Sequence, residues 1–356
     1  MSHRHSAWAT DYAGGNMNGF SQGHWLCSRS RVCPQRSLRA YSYVPRSEVQ
    51  PYYTMAETYT FADDMFETNQ GPSFPAHQYL ISGTSTIADG SVLRASENPF
   101  TPTQNPTGGC DSPEGSTVEL IDEGGSENQT AYPCFSRNSL MQEIGEAGLT
   151  WRYYQQTSGS GLWNAVDSIQ PLWNTSNYAN VVSPSKQFLQ DIAAAKLANV
   201  TWITPSAKES DHAGVTDGTG PSWVSSVVNA IGESPYWSST AIIVVWDDWG
   251  GWYDHVAPPT YNSYELGFRV PLIVISPYAK TGYVSHVQHE FGSILKFTEE
   301  TFGLPSLGTT DARADDLSDC FNFDQSPTVF SPIAAPLGAK YFLSQPASNV
   351  SPDTDE

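Results

Sequence analysis

The sequence predicts an α/β fold: a three-layer sandwich around a mainly parallel central sheet. Short β-prone apolar runs alternate along the chain with stretches at helical spacing, and each run ends in polar residues. The clearest run, residues 240–246 (TAIIVVW), shows no alternation, as expected of a strand covered on both faces. It stops on two adjacent carboxylates, Asp247 and Asp248, followed by Gly250-Gly251, Tyr253-Asp254-His255 and Pro258-Pro259. Ligands of open α/β sheets bind beyond the carboxyl ends of the strands. Paired acids there, on a glycine turn that lets backbone come close, suit a hard or borderline cation.

The other elements follow in order. Residues 53–66 (YTMAETYTFADDMF) carry an apolar stripe compatible with a helix. Gly71-Pro72-Ser73-Phe74-Pro75-Ala76-His77 is a loop fixed by two prolines and a glycine. Residues 84–135 are rich in Gly, Ser, Thr, Pro and Asn without a sustained period, and read as an insertion over the sheet edge. A short helix over 139–148 ends at Gly148, and 150–154 reads as a strand. The Trp-, Asn- and Tyr-rich stretch 162–182 suits either a substrate-facing cap or core.

Residues 188–196 predict a helix, and 200–204 a strand that delivers Asp211-His212 at its carboxyl end. A helix over 223–231 precedes the 240–246 strand, and 270–275 is the next strand. Ser285-x-x-Gln288 has the capping-box pattern for a helix carrying Phe291, Ile294, Leu295, Thr298 and Phe302, with His286 and His289 in its first turn. Beyond Asp324 the chain is Pro- and Ser-rich, so residues 1–324 form one domain and 325–356 a loosely packed tail.

Composition narrows the partners. The chain has 356 residues and a formal net charge of −20, with 18 Tyr, 15 Phe and 11 Trp to bulk out a large core. No basic footprint for nucleic acid is present, and long-range attraction to anionic membranes is disfavoured. An anionic ligand bound by so acidic a protein needs a local positive centre, a metal ion or histidines. Low lysine with many Ser, Thr, Asn, Gly and Pro residues points to a secreted or periplasmic protein, although no apolar leader is visible at residues 1–15 and no run reaches transmembrane length. The five cysteines, at 27, 33, 110, 134 and 320, form no CxxC pair. Cys110 and Cys134 flank a Gly/Ser/Glu-rich loop, and a disulfide there is one pairing that an oxidising compartment allows.

Residues 247–259 (DDWGGWYDHVAPP) resemble the D-E-x-G-G-x-[FY]-D-H-V-x-P-P signature of the bacterial phosphoesterase family, which contains phospholipases C and acid phosphatases on an alkaline-phosphatase-like fold. Gly267-Phe268-Arg269-Val270-Pro271 through Ser276-Pro277 resembles that family's next strand, and Cys110-Asp111-Ser112-Pro113 and Tyr132-Pro133-Cys134-Phe135 match further landmarks. The resemblance implies one divalent metal ion of unassigned identity, held by Asp247 and Asp248, the latter where Glu is more frequent. Ser73 fills the place of the nucleophile that also touches the metal, usually threonine, in G-P-T-x-P-N-R. His77 stands where that motif has Arg. His212 matches a histidine that contacts the phosphoryl group, and His3, His5, His255 and His289 match further histidines implied to bind substrate.

The implied activity is hydrolysis of a small-molecule or lipid phosphate ester through a phosphoserine on Ser73. An inactive truncated homologue, or a module binding carbohydrate or wall polymer, is the alternative. The family's E-N-x-S-F-D segment, which holds two further metal ligands, is absent. Glu97-Asn98 continues as Pro-Phe-Thr and stands elsewhere in the order. By that analogy the chain is N-terminally incomplete and lacks a first strand from mid-sheet, leaving its neighbours with unpaired edges.

Overall fold

A computed structural model describes residues 1–23, 35–102, 108–156, 161–212, 217–348 and 352. Helix α1 (His5–Tyr12) opens the described chain, followed by α2 (Gln50–Thr58), β1 (Thr60–Ala62) and α3 (Ser73–Ser82). Next come β2 (Arg94–Ala95), β3 (Val118–Ile121), β4 (Gln129–Ala131), α4 (Leu140–Glu146), β5 (Trp151–Tyr154) and β6 (Val181–Val182). The second half contains α5 (Gln187–Ala193), β7 (Val200–Ile203), α6 (Gly220–Gly232), β8 (Ile242–Val245), β9 (Leu272–Ile275), β10 (Tyr283–Ser285), α7 (Phe291–Phe302) and α8 (Ala339–Ser344). Among the described residues no helix is long and apolar enough to cross a membrane.

The strands form three sheets, in the orders β10-β1-β9-β8, β6-β5-β7 and β2-β3-β4. The expectation of a mainly parallel sheet holds only in part. Strands β5, β6 and β7 are parallel, as is the β1–β10 pair. Strands β8 and β9 are antiparallel, and so are β1 and β9. The physical reason is the connection: residues 246–271 carry no helix, so the chain lacks the crossover that a parallel neighbour of β8 requires. The small β2-β3-β4 sheet is antiparallel and belongs to the 84–135 insertion.

Strand β8 is also less covered than its sequence suggests. It stands at the edge of its sheet and is half-buried throughout, as β7 is at the edge of the other. Both edges line one cavity of about 1990 Å³, whose walls include Ile243, Val245, Trp202 and Ile203. Among the described residues the two strands therefore share a space in which each has ladder pairing on one side only.

Two elements fall differently from the sequence pattern. Residues 53–66 split, with α2 ending at Thr58 and the β-prone Thr60-Phe61-Ala62 pairing with β9 and β10. Tertiary pairing overrides a helix-compatible stripe there. Ser285 ends β10 instead of capping α7, and Glu290 forms the capping box with Ser293. The C-terminal residues expected to pack loosely place Ile333 beside Trp237 and Val228, and Phe342 edge-on to Trp223. Cys110 and Cys134 are disulfide-bonded and Cys320 is a buried thiol, whereas Cys27 and Cys33 lie outside the described residues.

Helix α3 is held from both sides. Its Tyr79 donates to Glu265 at 2.6 Å, and Glu265 pairs with Arg313, which also grips Glu290 at the start of α7. Phe74, Ala76, Tyr79 and Ile81 are buried on successive faces of the helix. The element that carries Ser73 is therefore fixed by core packing and charge-assisted hydrogen bonds.

Candidate active site

The carboxyl end of β8 supplies the central pair. Asp247 and Asp248 leave the strand, and Gly250 and Gly251 turn the chain at φ +61° and +76°, backbone that favours glycine. The Gly250 amide donates to Asp248 Oδ1 at 2.6 Å and fixes that carboxylate. A Cβ on Gly251 would stand 2.7 Å from the Met1 Cβ, so the missing side chain lets the N-terminal segment pack onto the turn. That contact brings His3 to the acids: its Nε2 lies 3.6 Å from Asp248 Oδ2.

Ser73 starts α3 at the position after Pro72, where a preset φ suits a first turn, and Pro75 sits in the same turn at no hydrogen-bond cost. The loop expected around Ser73 is thus a helix N-terminus. Ser73 Oγ donates to Asp248 Oδ2 at 3.2 Å, so His3 and Ser73 converge on one carboxylate oxygen. Ser73 is 1% exposed, beneath the acids that face the cavity.

Asp247 meets His77, whose Nε2 is 3.4 Å from Oδ2. The other His77 nitrogen lies 3.3 Å from the Tyr153 hydroxyl, which donates to the Trp163 carbonyl at 2.7 Å and accepts from Thr204 at 3.1 Å. Burial pushes the Tyr153 hydroxyl up to about 12, keeping it a neutral donor. His212, beyond β7, has its ring 5.3 Å from that of His3 and 6.1 Å from Trp163. His3, His77, His212, Asp247 and Asp248 all line the cavity.

The structure brings six expected residues together and sets three apart. His5 has its Nδ1 3.1 Å from Glu127 and its ring against Trp8 and Tyr264. His255 is 74% exposed beside Asp254, whose carboxylate is held by Arg269. His289 is fully buried, with Nδ1 2.8 Å from Asp315 and Nε2 3.0 Å from Ser285 Oγ. None of the three lines the cavity, because each is engaged by acids or hydroxyls of another part of the fold.

Two residues that sequence reasoning passed over stand at the site. Glu67 is buried, and its carboxyl is pushed well up by burial and then by the charge of Asp248. The Phe268 amide donates to Oε1 at 2.9 Å; among the described residues Oε2 meets no donor at full hydrogen-bonding geometry, although the Trp249 amide also acts on the carboxyl. No motif marked Glu67; the only signal was an acid between a strand and the Ser73 turn. Asn98 accepts from the Phe74 amide at 2.9 Å, next to Ser73, and Glu97 accepts from the His5 amide at 3.1 Å. The Glu-Asn pair set aside in the sequence thus reaches the start of α3 through space.

The donor chemistry fits a divalent cation. Asp247 and Asp248 bring two carboxylates together beside the buried carboxyl of Glu67, and no lysine or arginine is among the groups acting most strongly on Glu67. Among the described residues no set of three or more His, Cys, Asp or Glu side chains is already arranged around one point. Carboxylate oxygens with a serine hydroxyl and imidazoles suit a hard or borderline ion.

Comparison with known proteins places the chain. The profile of the Phosphoesterase family matches residues 1–305. Phospholipase C A of Mycobacterium tuberculosis (strain CDC 1551 / Oshkosh) is 26% identical over 381 residues, covering 94% of this chain and 67% of the relative. Non-hemolytic phospholipase C of Pseudomonas aeruginosa is 26% identical over 337 residues, covering 82% of this chain and 44% of the relative. The chain therefore spans about two thirds of one of these relatives and under half of the other. Solved structures resemble it only distantly. Ps i-CgsB has a TM-score of 0.44 at 13% identity, covering 78% of this chain and 72% of that one. A phosphonate monoester hydrolase from Silicibacter pomeroyi has 0.39 at 10% identity, covering 78% and 73%. With the profile matched from Met1 through α7, the chain belongs to the Phosphoesterase family.

Proposed function

We propose that this protein hydrolyses phosphate esters in the manner of a phospholipase C, on the alkaline-phosphatase-like architecture implied by its motifs. The observation that carries the reading is the approach of Ser73 Oγ and His3 Nε2 to Asp248 Oδ2, at 3.2 and 3.6 Å. Ser73 attacks phosphorus while Asp248 Oδ2 takes its proton; the Oγ–P bond forms, and the bond to the leaving alcohol breaks. His3, His77 and His212 face the cavity and offset charge on the non-bridging oxygens. The leaving oxygen is protonated from solvent, and water then cleaves the phosphoserine.

Asp247, Asp248 and Ser73 would hold the divalent cation, which supplies Lewis-acid charge when bound. The first turn of α3 presents its positive dipole end beside Ser73, favouring an anionic group there. The cavity wall of Trp202, Ile203, Ile243 and Val245 gives the site an apolar side that suits a lipid ester better than a small sugar phosphate. The Cys110–Cys134 bond suits an oxidising compartment, secreted or periplasmic.

The test compares release of phosphorylated headgroup from phosphatidylcholine vesicles with hydrolysis of a chromogenic phosphate monoester. Faster turnover of the diester supports the phospholipase C reading; turnover of the monoester alone makes the protein an acid phosphatase. The burial of Ser73 favours one competing reading, an inert relative, in which neither ester is turned over.

A further inference from the structure

A second cluster of oxygens lies outside the candidate active site, where the 84–135 insertion meets the segment after β5. Asp111 follows the disulfide-bonded Cys110, and Asp167 lies in a 3-10 turn, Ala165–Ser168. The two carboxyls are in direct contact. Asp167 is 0% exposed, and among the described residues neither its Oδ2 nor the buried Oδ1 of Asp111 meets a donor at full hydrogen-bonding geometry, although the Gly161 amide is close enough to act on Asp167. Asn164 is equally buried and is tied to the same acid: its Nδ2 donates to the Tyr178 hydroxyl at 3.0 Å, which donates to Asp167 Oδ1 at 3.3 Å. Among the described residues Asn164 Oδ1 is also without a donor.

The backbone is shaped around this acid. A Cβ on Gly109 would stand 2.8 Å from Asp167 Cγ, and one on Gly161 would stand 2.7 Å from Asp167 Oδ2. Gly109 has φ +95°, so a side chain is disfavoured there on both counts. No lysine or arginine is among the groups acting most strongly on either carboxyl. Two touching carboxylates cannot both stay ionised without a counter-charge. A shared proton satisfies one pair of oxygens and leaves Asn164 Oδ1 unsatisfied, and a buried acceptor without a donor is costly. A hard cation between the carboxyls offsets both charges, and Asn164 stands close enough in the chain to add its oxygen.

We propose that Asp111, Asp167 and Asn164 form a structural calcium site. The donor set is all oxygen with two formal negative charges, the chemistry calcium takes. Neither acid lines the cavity with Asp247 and Asp248, so the site is separate from the candidate active site. Calcium there pins residues 108–112 to 161–167, beside the Cys110–Cys134 bond. It also steadies Trp163, which borders the cavity next to His212.

The test is thermal unfolding of the chelator-treated full chain, titrated with CaCl₂ at neutral pH. Calcium at about 100 times its Kd raises the folded-to-unfolded ratio about 100-fold, and sites of this kind have Kd values of about 10⁻⁴–10⁻³ M. Asp111→Asn removes one charge of the unbridged pair. The variant is expected to melt higher than the parent without calcium and to lose the calcium response. Asp167→Asn is expected to do the same, and Asp247→Ala to keep the full response, which separates the two sites. A parent protein indifferent to calcium overturns the proposal, as does an Asp111→Asn variant that keeps the parent's response. Because the readout is stability, the result is independent of whether phosphate esters are hydrolysed.

Discussion

Glu97→Gln is expected to make the protein more stable at pH 8 and to leave it little changed at pH 4. Glu97 is 3% exposed, accepts from the His5 amide at 3.1 Å, and lies 3.3 Å from Arg4 Nε. Burial pushes its carboxyl from 4.5 up to about 7, and the exposed Arg4 only partly offsets this. In the folded protein the acid therefore stays protonated over an interval in which the unfolded chain has already ionised. Stability from this group is fully present below 4.5 and falls as pH rises through 7. The loss is about 1.36 kcal/mol per pH unit, or roughly 3 kcal/mol over the interval. Glutamine keeps the acceptor for His5 and does not ionise. Urea unfolding of parent and variant at pH 4, 6 and 8 measures the change in their difference, which cancels the titrating groups that do not interact with Glu97. A difference that does not move with pH refutes the reasoning, as does one that moves in favour of the parent. The consequence for the site is positional, since Glu97 anchors the start of α1, just after His3.

Three further outcomes are expected. Asp247→Ala should lose hydrolysis and bound divalent metal while keeping the parent's circular dichroism, read by elemental analysis alongside activity. Reducing Cys110–Cys134, which closes a loop of sequence separation 24, should cost about 3.5 kcal/mol by loop entropy, read from denaturant midpoints with and without reductant. Tyr153→Phe removes the hydroxyl between His77, Thr204 and the Trp163 carbonyl, and should lower kcat more than it raises KM if it orients His77.

Periodicity marked most elements and motif order marked the acid turn, because both are local. The non-alternating run before Asp247 became β8, the stripe from Phe291 became α7, and the pattern at Trp223 became α6. Sheet direction was not legible, since it depends on whether a helix fills residues 246–271, and their Gly, Pro and Trp content does not say where the chain returns. At the site, Ser73, Asp247, Asp248, His3, His77 and His212 meet from four separate segments. Glu67 escaped notice because a single buried acid has no sequence period, and its role comes from the Phe268 amide and the nearby acids. Asn98 was set aside on motif order, because its partner, the Phe74 amide, is reached only when the insertion folds back on α3.

Ser73 is expected to become phosphorylated beside Asp248. The direct measurement is acid-quenched mass spectrometry of the protein after brief exposure to a phosphate ester, with peptide mapping of the adduct. The account predicts a mass gain of one phosphoryl group, or of one phosphorylated headgroup from a diester, on the peptide carrying Ser73, and none in Ser73→Ala. A phosphoryl adduct on His212 or His3, or full turnover by Ser73→Ala, would contradict it.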